Sequence, residues 1–369
     1  MTAVREHSLS NNEVMRYSKQ ILVQEFGVKG QERLRATSLL IIGVGGLGCP
    51  VALYCAGAGV GRIGVVDGDF ISYGNLHRQI AYDEHSLGQS KAESIKSSIE
   101  RYLVNDACVL ANKPLVSGSV VRWDGQLSVY GYGKDCPCYR CVFPDPPPVD
   151  AVTNCSDNGV VGPVVGIIGS MQANEIIKIA AIKRSLFVSG SFAGFLYLFD
   201  AFNGKAKTVK LRRQKANCAV CGKNATITEL GDCKELYGCS IKIHKKLLGK
   251  SDRVDPCFYF KLCENNDKQL LIDTRLSHEF HIGHLPNAIN IPIMRLCLSS
   301  SADIMRELKT NINEMRDKGV YVICRRGEDS QIAVLYLRKQ FADSLISIKD
   351  IDGGYERWCH VVDKDFPIY

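Results

Sequence analysis

The stretch from Ser38 to Asp67 constrains the fold more than any other. A compact apolar run, Ser38 to Ile42, meets Gly43-Val44-Gly45-Gly46-Leu47-Gly48; the helical pattern PVALYCAGAG follows, and a second strand-like run, Arg62 to Val66, ends at Asp67. Strand, glycine turn, helix, strand is the opening of a doubly wound α/β sheet. There, glycines let backbone N–H groups and a helix N-terminus approach phosphate, and an acidic residue at the second strand's end accepts hydrogen bonds from ribose hydroxyls. Taken alone, the glycine pattern also fits a purely structural turn or an NAD-linked dehydrogenase. The residues after Asp67 shift the balance. Asn75-Leu76-His77-Arg78-Gln79 and then Lys91 place two cations beyond the turn, where a triphosphate tail needs its charge neutralised, although each cation alone also reads as a solvated surface charge.

The periodicity around this motif predicts a Rossmann-like α/β domain. Residues 13 to 36 read as two short helices, residues 91 to 112 as one long helix, Leu115 to Ser119 and Leu127 to Tyr130 as strands, and Val164 to Ile182 as a helix with small residues facing inward. Phe195 to Phe199 and Lys207 to Leu211 read as a hairpin turning at Asn203-Gly204. One thing is missing. A complete doubly wound domain places at least one more strand and crossover helix before Leu115, so the sheet is incomplete. Residues 1–222 form this first domain, 223–254 read as a linker, and 255–369 as a second α/β domain. In the latter, Gln269 to Asp273, Ala288 to Ile291, Val320 to Ile323 and Leu345 to Ile348 are short strands separated by helical patterns, which implies a small parallel sheet.

Sixteen cysteines in a chain of 369 residues raise the question of disulfides. No signal-peptide pattern opens the sequence, and four cysteines stand in paired CxxC spacing, so metal ligation and thiol chemistry fit better. Cys138-Tyr-Arg-Cys141 and Cys218-Ala-Val-Cys221 are two knuckles whose thiolates can complete a tetrahedral zinc site, a redox dithiol or a chance pairing being the alternatives; with four thiolates and no open position, that zinc is expected to be structural. Cys155, in the polar loop VTNCSDNG, reads from its neighbours as an accessible spare thiol with no base beside it. Cys324 is different. It ends the apolar strand Val320 to Ile323 and begins Arg325-Arg326-Gly327-Glu328-Asp329-Ser330, which runs into a helix. Such a loop aims backbone N–H groups at the sulfur, and two arginines add positive charge, so a thiolate or persulfide is expected to be favoured.

The net charge is +7, but its cations are scattered, which gives no nucleic-acid footprint. The longest apolar runs are expected to be too short or interrupted to span a bilayer, and the expected location is the cytosol.

RYSKQ, GVGGLGCP, VVDGD, NLHRQ, KPLVSGS, CPCYRC, TNCSDNGV, CAVCG and CRRGEDSQ follow one another in an order that resembles a known family. These are the adenylyltransferase-sulfurtransferases of molybdenum cofactor synthesis and tRNA thiolation, in which a MoeB/ThiF-type domain similar to ubiquitin-activating enzymes is fused to a rhodanese domain. The resemblance covers nearly the whole chain. It implies that Gly46, Asp67, Gly74, Asn75, Leu76, His77, Arg78 and Lys91 contact ATP, with Arg16 near the phosphates. It implies zinc on the four knuckle cysteines, Cys155 as the transfer cysteine of the first domain, and a persulfide on Cys324. The implied reaction is ATP-driven, magnesium-assisted adenylation of the C-terminal glycine of a ubiquitin-fold sulfur carrier, followed by sulfur replacing AMP to give a thiocarboxylate. A homodimer and a cysteine desulfurase or other persulfide donor are implied with it.

Two departures stand out. Lys19 occupies the place of the family's second arginine, which keeps charge but loses bidentate phosphate geometry. Between Glu100 and Arg101 the chain lacks the family's segment of two strands, a helix and an Asp-Asn motif whose aspartate helps bind magnesium and nucleotide. Loss of interior strands is expected to expose apolar surface and unpaired edges. A second reading therefore stands beside the first: a rhodanese-type sulfurtransferase whose first domain only docks the carrier.

Overall fold

The computed structural model describes residues 7–91, 100–133, 135–145, 159–182, 190–230, 247–264, 269–367 and 369. The chain divides into two units, Met1–Ser240 and Ile241–Tyr369.

The first unit opens with α1 (Asn11–Ile21) and α2 (Gly27–Ala36). Ser10 and Glu13 form a reciprocal capping box at the start of α1, which satisfies two of the backbone donors that a helix N-terminus leaves free. The glycine motif folds as expected: β1 (Ser38–Ile42), α3 (Gly48–Ala58) and β2 (Arg62–Val66), with β1 and β2 paired in parallel, Ser38 opposite Arg62 and Ile42 opposite Val66. The turn into α3 is tight, since a Cβ on Gly48 would lie 1.9 Å from the Gly43 carbonyl oxygen. Further on come α4 (Glu100–Leu110), β3 (Leu115–Val121), β4 (Asp124–Tyr130), α5 (Tyr139–Val142), α6 (Gly162–Ala181), β5 (Phe195–Asp200) and β6 (Lys205–Lys210). Of the long helix expected over 91 to 112, residues 100–110 are helical and 92–99 lie outside the described residues.

Strands β3 to β6 form a separate antiparallel sheet in the order β3-β4-β5-β6, while β1 and β2 make a two-stranded sheet of their own. The consequence of the lost segment is visible on β1 and β2. Leu40 is 61% exposed, and Ile42 and Val65 are also exposed, where a parallel sheet ordinarily buries such residues on both faces. Helix α6 packs against α2, α3, β3 and β4 and carries the core of the unit. It meets the length and apolarity of a bilayer span, contrary to the expectation from the sequence runs. Its Val164, Val165, Ile168, Ala173 and Glu175 are buried within the unit, so those properties belong to a packed core helix.

The second unit is a five-stranded parallel sheet in the order β7-β11-β10-β8-β9. Its elements are β7 (Arg253–Val254), α7 (Pro256–Glu264), β8 (Leu270–Asp273), α8 (Ser277–Phe280), β9 (Ala288–Asn290), α9 (Ile293–Leu296), α10 (Ser301–Glu307), α11 (Ile312–Lys318), β10 (Val320–Ile323), α12 (Asp329–Gln340), β11 (Ile348–Ile351) and α13 (Gly354–Val361). One core cluster holds Ile272, Met315, Val322, Val334 and Leu337, and another holds Tyr259, Ile323, Tyr355 and Trp358. Two expectations shift. The last strand starts at Ile348 instead of Leu345, because Leu345 takes a left-handed backbone, φ 55°, as the chain turns into the sheet. Residues 247–254, read as the end of a linker, belong to this unit: Leu248 is buried in its core and β7 pairs with β11.

Candidate functional site

Three constellations emerge, two in the first unit and one in the second. The first lies at the carboxyl ends of β1 and β2, where open α/β sheets hold their ligands. Asp67 is buried there; its carboxylate accepts from the Val44 N–H at 2.7 Å and from the Asp69 N–H at 3.0 Å, which fixes it against the glycine turn. Gly46 has no room for a side chain, since a Cβ would meet Val165 Cγ1 at 2.6 Å and the Arg78 carbonyl oxygen at 3.3 Å. The segment Gly74 to Arg78 is thus brought onto the turn. Tyr73–Asn75 forms a 3-10 turn, Asn75 Oδ1 accepts from the Ser72 N–H, Leu76 N–H donates to Tyr73 O, and the His77 carbonyl approaches α6 at Gly162. The Arg78 guanidinium donates to the Gly74 carbonyl at 2.5 Å. Lys91 joins through its N–H to Asp69 O at 2.8 Å, and its buried side chain brings Nζ to 3.8 Å from Asp69 Oδ2. Arg16 stands apart from this group. Its guanidinium lies 5.7 Å from the centroid of the Tyr17 ring, and Tyr17 packs on Gly59 at the far end of α3 from the turn, about 16 Å along the helix. Gln79, which follows Arg78 on the same turn, is buried, with Oε1 unpartnered.

The second constellation is the cysteine cluster. Cys138, Cys141, Cys218 and Cys221 bring their sulfurs within 4.8 Å of one another, with Cys138 to Cys218 at 3.6 Å and Cys141 to Cys221 at 3.4 Å. Tetrahedral ligands about 2.3 Å from a zinc ion stand about 3.8 Å apart, close to the spacing of this set. The thiols titrate as a set: hydrogen bonds from Cys138 and then Cys221 hold Cys141 below its ordinary range, while the hydrogen bond with Cys141 pushes Cys138 up. Val109, Val220 and Ile227 pack around the cluster. Next to it, the buried Arg140 guanidinium pairs with Asp106 at 2.8 Å and lies 4.9 Å from the Tyr102 ring centroid, which fixes the first knuckle. Cys155 lies outside the described residues.

The third constellation surrounds Cys324, at the end of the central strand β10 and before α12. The loop does aim a backbone donor at the sulfur: Gly327 N–H approaches Sγ at 3.0 Å, and Ser330 Oγ stands 3.4 Å away. The expected preference for thiolate is corrected, however. The residue is only 2% exposed, and burial pushes the Cys324 thiol up from its ordinary value, outweighing the hydrogen bonds from Ser330 and Gly327. Both arginines of the loop engage other groups. Arg326 pairs with Glu356 at 3.1 Å, while Arg325 donates to the Tyr369 carbonyl and lies over the Tyr369 ring. Sequence reasoning missed the support beneath the loop: Arg253, Asp350 and Gln331, and the Gly353-Gly354 pair, all remote from Cys324 or silent in periodicity. Gln331 Nε2 donates to Gly327 O at 2.6 Å and its Oε1 accepts from Leu247 N–H at 2.9 Å. Burial pushes the Asp350 carboxyl up from its ordinary value although Arg253 is bonded to it.

Comparison with known proteins supports the two-unit division. A ThiF family model matches residues 17–101 and 99–220, and a Rhodanese-like domain model matches residues 261–360. The two ThiF stretches meet where the sequence lacks its segment. The adenylyltransferase and sulfurtransferase MOCS3 of Caenorhabditis briggsae is 45% identical over 404 positions, covering 98% of each chain, so that relative carries residues absent from the 369 here. The protein of the same name from Sus scrofa is 40% identical, covering 98% of this chain and 89% of its own. Among solved structures, ATP-bound E. coli MccB is similar at 21% identity and a TM-score of 0.47, covering 56% of this chain and 74% of that one. The chain belongs to the family of MOCS3 adenylyltransferase and sulfurtransferases, a ThiF domain followed by a rhodanese-like domain.

Proposed function

We propose that this protein uses ATP to adenylate the C-terminal glycine of a ubiquitin-fold sulfur carrier and then delivers sulfur from a Cys324 persulfide, leaving a thiocarboxylate. The carrier is of the molybdopterin synthase small-subunit or ubiquitin-related-modifier type, and the thiocarboxylate serves molybdenum cofactor synthesis and 2-thiolation of tRNA wobble uridine in the cytosol. The observation that carries this reading is one chain that holds both a glycine-turn anion site and a strand-end cysteine, each built as described, and that matches two-activity relatives along almost its whole length.

In the first unit, the turn from Gly43 to Gly48 presents backbone N–H groups to the triphosphate, Asp67 takes the ribose hydroxyls, and Arg78 and Lys91 neutralise phosphate charge. The carrier's carboxylate attacks the α-phosphorus and pyrophosphate leaves, giving the acyl adenylate. Magnesium supplies further charge neutralisation; the family's aspartate for that role lies in the segment lacking here. Zinc held by Cys138, Cys141, Cys218 and Cys221 would tie α5 to the segment around Cys218 and, with no open position, would be structural. In the second unit, the terminal sulfur of the Cys324 persulfide attacks the acyl carbon and AMP departs, leaving the carrier joined to Cys324 as an acyl disulfide. A second thiolate then attacks the Cys324 sulfur, the S–S bond breaks with its electron pair leaving on the outer sulfur as the thiocarboxylate, and external thiol reduces the disulfide so formed. Cys155 serves as the transfer cysteine, a cysteine desulfurase or another persulfide donor reloads Cys324, and the enzyme works as a homodimer that places Arg16 near phosphate.

The test is to incubate the full chain with ATP, magnesium, a ubiquitin-fold carrier ending in glycine and a persulfide donor, and to weigh the carrier. The expected product has sulfur in place of one carboxyl oxygen. Cys324→Ser should stop at the adenylate, and Asp67→Ala should block both steps. Sulfur transfer to thiol acceptors without any AMP transfer would instead establish the docking role for the first unit.

A further inference from the structure

Behind the Cys324 sulfur runs a buried chain of polar groups that the steps above leave unused. Ser330 Oγ stands 3.4 Å from Cys324 Sγ and 3.3 Å from Asp350 Oδ2. Arg253 grips that carboxylate, Nε to Oδ1 at 3.0 Å and Nη2 to Oδ2 at 2.9 Å. Its Nη2 also donates to the Gly327 carbonyl at 3.1 Å, on the residue whose N–H points at the sulfur. Ser330 and Asp350 are both fully buried, so these bonds form without competition from water.

A hydroxyl both donates and accepts. While Cys324 is a thiol, its S–H points to Ser330 Oγ, and the Ser330 hydrogen goes to Asp350. Sulfur transfer makes Cys324 negative twice in each cycle, once as the attacking thiolate and once as the leaving thiolate. A thiolate only accepts, and the Ser330 hydroxyl then turns its hydrogen from Asp350 to Sγ. The carboxylate that gives up this bond keeps its bonds from Arg253. We propose that Ser330 is a positioning residue that switches its hydrogen bond between Asp350 and the Cys324 sulfur as charge comes and goes, with Arg253 holding the pair in place. This rests on Cys324 being the sulfur carrier.

Thiosulfate serves as the probe. The Cys324 proton is released to solvent, the thiolate electron pair forms a bond to the outer sulfur of thiosulfate, and the S–S bond breaks with its pair leaving on sulfite. Cyanide then takes the outer sulfur and Cys324 leaves as thiolate. In the full chain, Ser330→Ala should slow single-turnover persulfide formation, read as the mass gain of one sulfur atom, by about tenfold to a hundredfold, the worth of a hydrogen bond to a charged group. The KM for thiosulfate should stay within about threefold while kcat falls, because the bond is strengthened only as charge develops. Ser330→Thr, which keeps the hydroxyl, should recover most of the rate. A measurement on the unaltered protein guards against a variant that does not fold: the infrared S–H stretch assigned by its loss in Cys324→Ser should lie in the hydrogen-bonded region. Persulfide formation in Ser330→Ala at the unaltered rate, or a free S–H stretch, would overturn the role of Ser330. Sulfur transfer that survives Cys324→Ser would overturn instead the reading on which it rests.

Discussion

A Cβ on Gly354 would lie 2.2 Å from the carbonyl oxygen of Cys324, so the first residue of α13 is packed directly on the sulfur-bearing loop. The contact is reinforced by Tyr355 N–H donating to that same carbonyl at 3.0 Å and Glu356 N–H donating to Arg325 O at 2.9 Å. Gly354 itself has φ 58°, a conformation that costs an L-residue about 1–2 kcal/mol before any clash is counted.

Gly354→Ala should therefore destabilise the second unit by about 2–4 kcal/mol, strain and overpacking together. Sulfur transfer through Cys324 should fall with it, while ATP-dependent exchange by the first unit stays intact. Denaturant unfolding followed by Trp358 fluorescence, with exchange measured on the same preparation, checks both parts.

The Asp106–Arg140 pair makes a second prediction. Asp106→Asn removes the carboxylate that the buried Arg140 guanidinium pairs with and should cost the first unit several kcal/mol, on the order of 3. Replacing both partners by apolar residues of similar volume should cost much less. Thermal melts of the single and double variants decide it.

Metal content gives a third. Each purified chain should carry about one zinc ion, and Cys218→Ser or Cys221→Ser should lose it, because a four-thiolate site needs every ligand. Elemental analysis reads the loss, and sulfur transfer from thiosulfate by the second unit should survive it.

The pH dependence of the second unit follows from Cys324. Its folded thiol titrates above the ordinary value of 9.0, so the unfolded chain releases its proton first as pH rises. Stability from this group is therefore complete below that value and is lost as pH climbs from the unfolded pKa through the folded one. Cys324→Ser should remove part of the fall in stability as the pH rises above the ordinary thiol value of 9.0. Chemical denaturation across that range measures it.

Much of this architecture was legible in the sequence. The glycine turn from Gly43 to Gly48, the knuckle cysteines and the strand leading to Cys324 each announce themselves through local chemistry that the fold preserves. The reversal between β3 and β4 did not, because it turns at Arg122-Trp123 with Arg122 at φ 54°, without the glycine that marks Asn203-Gly204. Ser330, Asp350 and Arg253 meet only through the order of the parallel strands, which no local pattern encodes. The surroundings of Cys324 were illegible for a related reason: the arginines beside it in sequence turn to Glu356 and Tyr369, and burial pushes the thiol up. The exposed Leu40 and Val65, by contrast, follow from the missing strands as expected.

The measurement that bears most directly on the whole account is ATP/pyrophosphate exchange by the full chain with magnesium and a ubiquitin-fold carrier, run beside a chain in which the missing strands are restored. Carrier-dependent exchange by both is the predicted result. Exchange by the restored chain alone, with Cys324-dependent sulfur transfer persisting in the present one, would contradict it.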